Sequence, residues 1–264
     1  GGREAEIQLF LAYDGEEPVG RVAAIINHAH NRVQKEQAGF FGFFETVNRP
    51  EVAQELLETA EGWVRERGAN VMRGPVNPST NYECGLLVKG FDRPPVLMMT
   101  YNPAHYADLI EDAGYTKAKD LLAFLSSVHD TSLKRLEWIA TRARQRNPSL
   151  VTRSVNKRKV PAEVQLAREI YNEAWEENWG FVAVSDAEFD WLSKELKPLV
   201  MPGLVRFAFM DGEAVGVLLC VPDWNPVMND LDGSALLHPL RALKHLLWTR
   251  AENLEGLRLI LLGI

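Results

Sequence analysis

Two short stretches of this chain share one hairpin pattern, and this repetition constrains the fold more than any other feature of the sequence. Residues 7–27 and 205–221 each contain two β-rich runs joined by Asp-Gly-Glu, beginning at Asp14 and at Asp211, and each return run opens with Val-Gly. Asp-Gly favours a tight hairpin because both residues tolerate the positive φ angles that the turn needs. The repetition predicts an internal duplication, although Asp-Gly-Glu turns are also common by chance.

The composition is that of a folded protein. The chain has 264 residues, of which 46% are hydrophobic and 25% charged, with a net charge of −7 from 29 basic and 36 acidic residues. These values exclude a disordered chain, a collagen-like repeat and a disulfide scaffold. The acidic balance argues against non-specific nucleic-acid binding, which needs a basic surface. The length favours about two domains.

Cysteine usage and hydropathy predict a cytoplasmic protein. Cys84 and Cys220 lie far apart without a CxxC partner, which argues against structural zinc and predicts reduced thiols. The longest apolar runs, such as residues 257–264, are shorter than the ~20 residues that span a bilayer. We therefore expect no membrane partner. The chain opens on Gly1 without a Met and stops directly after a strand-like run, so we expect both ends to be cut.

An aromatic strand is predicted over residues 37–46. Gly39 and Gly42 within it predict a bulge or the close approach of another backbone or a ligand, or simply room for the four phenylalanines of residues 40–44 in a core. Those rings could also line an acyl or CoA channel. Pro50 then starts a helix with one apolar stripe, and residues 69–73 predict a parallel strand.

The remaining elements follow from similar signals. We predict a helix over 103–113, a strand over 118–127 and a basic amphipathic connecting helix over 133–146. A second unit starts with a strand over 150–155 and a helix over 161–178. Ser185, three residues before Glu188, marks the start of another helix by its capping pattern.

Several strings resemble the GNAT (N-acetyltransferase) superfamily, and residues 6–127 and 149–264 follow its order of elements. Residues 60–69 are similar to its third helix, and residues 106–115 to the helix before its last strands. Residues 73–81 and 177–181 resemble a bacterial group of two-GNAT-domain proteins. The resemblance implies an α/β fold of two GNAT-like units with mixed sheets flanked by helices. We place these units at residues 1–129 and 148–264, joined by a connecting helix over 130–147.

The superfamily binds the pyrophosphate of acyl-CoA on a glycine-rich loop before its third helix, where backbone N–H groups face the anion. The first unit has no glycine over residues 46–53 and carries Pro50 and Glu51 there, which predicts a poor CoA binder. In the second unit the loop would lie beyond Ile264. The resemblance thus implies that acetyl-CoA or another acyl-CoA binds the second unit in a longer protein, without a metal.

The resemblance implies an acyl-CoA-dependent N-acyltransferase in which a small amine attacks a thioester, with a base and an acid for proton transfer. We predict Glu83 as the base and Tyr82, Tyr101 or Tyr106 as the acid, because the long polar loop over residues 74–101 is typical of a functional segment. Ordinary turn, cap and packing roles are the alternative. The predicted substrate-binding residues are Asn77, Ser79, Thr80, Asn81, Glu176, Asn178 and Trp179.

Other interpretations remain open. A non-catalytic ligand-binding or assembly module on a degenerate GNAT scaffold is the main alternative. A thiol enzyme would use Cys84 with His105, although no orienting motif accompanies them. We predict that His28 and His30 share one face of a strand, without a third metal ligand nearby.

Surface features complete the sequence-based predictions. The histidines His238 and His245 fit an ordinary helix surface, and the basic run over 156–159 fits a solvated turn. The apolar edge over Leu257 to Leu262 predicts pairing with another chain, as in a homo-oligomer.

Overall fold

The computed structural model describes residues 4–127, 129, 132–229 and 254–264 and confirms the predicted α/β class. Its contacts form two compact units. One comprises Gly1–Leu121 with Asn178–Val182, and the other comprises Leu122–Glu177 with Ala183–Ile264. The GNAT-like duplication and the predicted boundaries at residues 129 and 148 stay predictions.

The sheet of the first unit has four strands in chain order. They are β1 (Ala5–Asp14), β2 (Glu17–Asn27), β3 (Ala38–Thr46) and β4 (Val71–Arg73). The first three pair antiparallel, whereas β4 pairs parallel with β3. Both the predicted hairpin and the predicted parallel strand are therefore confirmed.

A bulge interrupts β3 in the middle of its aromatic run. Arg21 pairs with Glu45 and Ala23 with Gly42, so the intervening residue of β2 faces both Phe43 and Phe44. Phe43 adopts a left-handed φ of 48°, which turns its side chain outward to 41% exposure. The predicted bulge is confirmed.

Both glycines of β3 also lie where a neighbour approaches closely. A Cβ on Gly39 would lie 2.5 Å from the Val64 side chain, and one on Gly42 would lie 2.3 Å from the Val76 carbonyl oxygen. Separations under about 3 Å are far inside van der Waals contact, so only glycine fits at these positions.

Three helices complete the first unit: α1 (His28–Gln34), α2 (Pro50–Glu66) and α3 (Tyr106–Asp112). Helix α2 buries its predicted apolar stripe, which includes Leu56, Leu57 and Val64, against β2 and β3. The core that results contains Val22, Ala24, Ile26, Phe41, Phe44, Ala53, Leu56, Leu57, Ala60, Val64, Tyr106, Leu109 and Ile110.

The predicted strand over residues 118–127 is wrong. These residues form no regular structure, and Leu122, Phe124 and Leu125 are 75%, 90% and 76% exposed. A strand needs a partner with which to exchange backbone hydrogen bonds, and apolar composition alone supplies none. A short antiparallel pair of strands, β5 (Val76–Asn77) and β6 (Glu83–Cys84), lies in the polar loop over residues 74–101.

The described residues of the second unit form four strands, β7 (Val151–Ser154), β8 (Val205–Met210), β9 (Glu213–Pro222) and β10 (Leu257–Gly263). These strands make an antiparallel sheet in the order β10-β9-β8-β7. The predicted second hairpin is thus confirmed. In the described residues β10 is an outer strand, and its pairing with a second chain stays a prediction.

The described residues of this unit form four α-helices: α4 (Leu133–Arg146), α5 (Val160–Trp175), α6 (Asp186–Leu196) and α7 (Asn225–Asn229). Ser185 Oγ accepts the Glu188 N–H at 3.3 Å, which confirms the predicted cap. The buried side chain of Ile170 packs α5 against β8 and β9. His238 and His245 lie outside the described residues. No described helix is both long enough and apolar enough to cross a bilayer.

Candidate functional site

The segment that carries His28 and His30 is a helix, so the prediction of a shared strand face is wrong. Asn27 caps α1, because its side-chain oxygen accepts the His30 backbone N–H at 2.9 Å. Two residues apart on a helix differ by about 200° in direction. Accordingly, His28 Nε2 meets Glu6 at 2.8 Å, whereas His30 Nε2 meets Glu36 at 2.6 Å.

His30, Glu36 and Arg73 form one connected ionic network. The Arg73 guanidinium donates to both carboxylate oxygens of Glu36, at 2.5 and 2.8 Å, in the bidentate geometry that makes such pairs strong. His30 is only 5% exposed, and the edge of its ring meets Phe40 with centroids 4.8 Å apart. The network therefore holds the imidazole next to the ring of Phe40.

Glu36 stays a carboxylate throughout the neutral range. Its hydrogen bonds with Arg73, helped by the His30 contact, lower its pKa to about 2 against the opposing effect of burial. An ionised carboxylate acts only as an acceptor. The Nε2 of His30 must therefore carry a proton when it bonds to Glu36, which leaves Nδ1 as the acceptor of the neutral ring.

The network predicts an acid-sensitive contribution to stability. Because the folded-state pKa of Glu36 is depressed from 4.5 to about 2, its contribution is present above pH 4.5 and is lost as the pH falls towards 2. The shift corresponds to about 3 kcal/mol as an upper value. We expect Glu36→Gln to lower the urea unfolding free energy at pH 7 and to flatten its decline between pH 5 and 3.

A matched control is Glu45→Gln, because the Glu45 ion pair with Arg21 is solvent-exposed on both sides. Exposed pairs contribute about 0–1 kcal/mol, so this variant should follow the wild-type pH profile closely. If the unfolding free energies of the wild type and Glu36→Gln depended on pH in the same way, Glu36 would not be the source of the acid-sensitive stability.

The imidazole of His30 borders a small cavity of about 110 Å³ within the first unit. Trp179 lies at its edge, 45% exposed, with Lys119 Nζ 5.5 Å from the centre of its ring. A volume of this size has room for a polar group of a few atoms. Its lining residues are His30, Gln34, Glu36, Phe40, Arg73, Val76, Thr80, Trp179 and Gly180.

Three side chains hold the backbone that forms one wall of this cavity. Gln34 donates to the Phe181 carbonyl at 2.9 Å, Thr80 to the Gly180 carbonyl at 2.7 Å, and Asn81 to the Val182 carbonyl at 2.9 Å. Three successive backbone carbonyl groups thus each accept a hydrogen bond from a side chain of α1 or of the polar loop. Of the residues predicted to bind substrate, Thr80 therefore lines the cavity, whereas Asn81 holds the backbone that follows Gly180.

Asn77 and Ser79 hold the polar loop and the β3 bulge in place. Asn77 accepts the Phe43 N–H at 2.7 Å, and its amide lies 3.4 Å from the exposed carboxylate of Glu83. Ser79 Oγ accepts the Asn81 N–H at 3.3 Å. Asn77 thus accepts a hydrogen bond from the backbone of the bulge.

The other predicted site residues lie in different surroundings. Tyr106 is buried in the core, where its hydroxyl accepts the Thr46 N–H at 3.1 Å. Tyr101 is half-exposed, and Glu176 and Asn178 are exposed. None of these four lines the cavity. The catalytic roles of Glu83, Tyr101 and Tyr106 stay predictions.

The sequence-based predictions missed the network of His30, Glu36 and Arg73. A capping residue three positions before His30, at Asn27, could have indicated the helix start. Arg73 ends a parallel strand directly before a polar loop, which is a common place for functional side chains. No local pattern joins Glu36 to either of them.

The start of α2 does not fit a pyrophosphate. Pro50 removes a backbone donor, Glu51 adds a negative charge in the first turn, and the Arg49 guanidinium is bound to Asp14 at 2.9 Å. Anion sites at helix starts depend on free N–H groups and a positive end. The described residues there agree with the expectation of a poor CoA binder.

The structure weighs against a thiol nucleophile at Cys84. Burial, together with the neighbouring carboxylate of Glu83, raises the pKa of this thiol. The thiolate is the reactive form, so such surroundings disfavour nucleophilic attack. Within the described ranges, no group of three or more His, Cys, Asp or Glu side chains is placed to hold a metal ion.

Comparison with known proteins assigns the chain to a family. No protein-family model matches it. Over 262 residues it is 37% identical to the bacterial ceramide synthase of Caulobacter vibrioides, covering 98% of this chain and 67% of that protein. The chain belongs to the family of this ceramide synthase.

A second relative of this chain is protein YghO of Escherichia coli. It is 32% identical over 258 residues, which cover 97% of this chain and 65% of that protein. The chain thus spans about two thirds of the length of both relatives.

Proposed function

We propose that this chain carries the site of an N-acyltransferase that joins a fatty acyl group to the amino group of a long-chain amine. The relative named ceramide synthase supports the reaction class, because a ceramide is an amide of a fatty acid and a long-chain amino alcohol. The observation that carries the proposal is the His30 imidazole, held by the Glu36 carboxylate at 2.6 Å beside a cavity of head-group size.

The amine needs a proton acceptor. Aliphatic amines have pKa values near that of lysine, about 10.4, so they are protonated at neutral pH and cannot attack until a proton leaves. His30 supplies the acceptor at Nδ1, because Nε2 donates to Glu36. Positioned bases of this kind accelerate reactions by about 10²–10⁴-fold.

The Glu36 carboxylate has two roles in this scheme. It holds the imidazole in one tautomer and orientation, and it stabilises the imidazolium that forms when His30 takes the proton. As the amine nitrogen bonds to the acyl carbon, the bond from that carbon to the leaving group breaks with its electron pair. The nitrogen loses two protons in all: the first passes from the ammonium group to His30 before the attack, and the second goes to the departing thiolate as the amide forms.

The acyl donor in this proposal is an acyl thioester such as acyl-CoA. The start of α2 does not suit the phosphates of this donor, because Pro50 lacks an N–H, Glu51 is negatively charged and Arg49 is paired with Asp14. We therefore assign no residue of the first unit to the phosphates of the donor; only its acyl carbon has to reach the amine beside His30.

A second candidate function is a non-catalytic ligand-binding or assembly module, as the sequence also allowed. The misfit between the α2 start and a pyrophosphate favours it for the first unit. The two candidates differ in one measurable respect, since a binding module takes up the amine without forming an amide.

The proposal is tested by incubating the chain with a long-chain acyl-CoA and a long-chain amino alcohol and detecting the amide by mass spectrometry. The matched control is the N,N-dimethyl form of the same amine, which cannot give a neutral amide. We expect product from the primary amine alone. Calorimetric binding of the amine without any product would instead favour the non-catalytic module.

A further inference from the structure

Helix α4 carries a charge opposite to that of the remaining protein. Five basic residues and one acidic residue give it a net charge of +4, so the rest of the chain has −11. Among the described residues, none of these five cations forms an ion pair with a carboxylate, and Arg142 stacks on Trp138 at 5.1 Å. The five are Lys134, Arg135, Arg142, Arg144 and Arg146.

The same helix presents an unpartnered apolar stripe. At about 100° per residue, its apolar side chains other than Trp138 fall within about a third of the circumference. Leu133, Leu136 and Ile139 are 58%, 51% and 46% exposed, and the helix buries no residue. In the part of the chain that the structure describes, α4 makes no extensive contact with another helix or strand. The stripe consists of Leu133, Leu136, Ile139, Ala140 and Ala143.

A second apolar segment of the same unit precedes this helix in the sequence. Leu122, Phe124 and Leu125 are between 75% and 90% exposed and form no strand. Adjacent exposed apolar side chains mark an interaction surface rather than ordinary solvent-facing residues. Their number also argues against nucleic acid, which would engage the cations but not the apolar side chains.

We propose that α4, together with residues 122–125, binds the surface of an anionic membrane. An amphipathic helix with Lys and Arg flanking an apolar stripe lies in the plane of the bilayer, with that stripe buried at the boundary of head groups and acyl chains. The anionic head groups complement the unpaired cations of α4. The proposal departs from the expectation of no membrane partner, and it does not rest on the proposed acyl transfer.

The test is flotation of the chain with vesicles of phosphatidylcholine alone or with added phosphatidylglycerol. We expect flotation only with the anionic vesicles, weakening as salt shortens the Debye length. Each cation near an anionic bilayer adds substantially to the membrane affinity. The double variant Arg135→Glu/Arg142→Glu should therefore lower the partition constant for anionic vesicles by more than about tenfold. Leu136→Ser/Ile139→Ser should lower it by about tenfold or more, through lost apolar burial.

Matched controls separate this surface from general charge and hydrophobicity. Lys157→Glu/Arg158→Glu reverses two exposed cations outside α4, and Val47→Ser/Val88→Ser removes two exposed apolar side chains. Both control variants should float like the wild type. Circular dichroism checks that all variants are folded.

Two results would overturn the proposal. One is failure of the wild-type chain to float with anionic vesicles, including the case in which it binds duplex DNA instead. The other is equal flotation of the wild type and both α4 variants.

Discussion

Replacing His30 with glutamine is expected to lower the rate constant kcat of amide formation by about 10²–10⁴-fold, the contribution of a positioned general base. Glutamine can still hydrogen-bond to Glu36, but it cannot take a proton from the amine. The KM for the amine should change little, because the cavity walls at Phe40, Thr80 and Trp179 remain. Steady-state kinetics with product detection by mass spectrometry measure both values.

His28→Gln is the matched control for this variant. His28 also contacts a carboxylate, Glu6 at 2.8 Å, but it is 43% exposed at its side chain and does not line the cavity. Its kcat should stay within about twofold of the wild-type value, since surface changes away from a site have small effects. A similar loss in both variants, or none in His30→Gln, would refute the role of His30.

Gly42→Ala is expected to destabilise the first unit by about 1–3 kcal/mol or more. The added Cβ would lie 2.3 Å from the Val76 carbonyl oxygen and 2.6 Å from Asn77 Oδ1, so β5 must move away from β3. That movement would break the Phe43–Asn77 hydrogen bond and displace Val76 from the cavity wall. Urea unfolding followed by circular dichroism gives the free energy.

Gly62→Ala makes the same chemical change where space is open. No atom lies within 4 Å of the position that a Cβ would occupy there, and the residue is in the interior of α2. Alanine at this position should raise the unfolding free energy by up to about 1 kcal/mol, because it favours the helix more than glycine does. If Gly42→Ala were as stable as Gly62→Ala, the close contact between β3 and β5 would be wrong.

Elements with strong local signals could be predicted from the sequence. The Asp-Gly turns, the Pro50 helix start and the Ser185 cap each depend on residues adjacent in the chain, and each is confirmed. Helix α1 was missed because seven residues carry little periodicity, and its start depends on one side-chain bond from Asn27. Residues 118–127 have strand-like composition, but composition does not determine whether a partner strand is present.

The site was predictable only in part, because it is assembled from distant segments. Thr80 and Trp179 were predicted from the polar loop and the helix end, and both line the cavity. His30, Glu36 and Arg73 come from the start of α1, from the residues after it and from the end of β4. Their contacts depend on the parallel pairing of β3 with β4, which no single stretch of sequence encodes.

The central claim is that the amine binds beside His30 and gives its proton to that ring. The most direct measurement is NMR of the six histidines, labelled with ¹³C and ¹⁵N, during titration with a long-chain primary amine. The His30→Gln and His28→Gln variants assign the two signals. We expect the His30 ring signals to shift on saturation while those of His28 do not. Amine binding that leaves the His30 signals unchanged would contradict the claim.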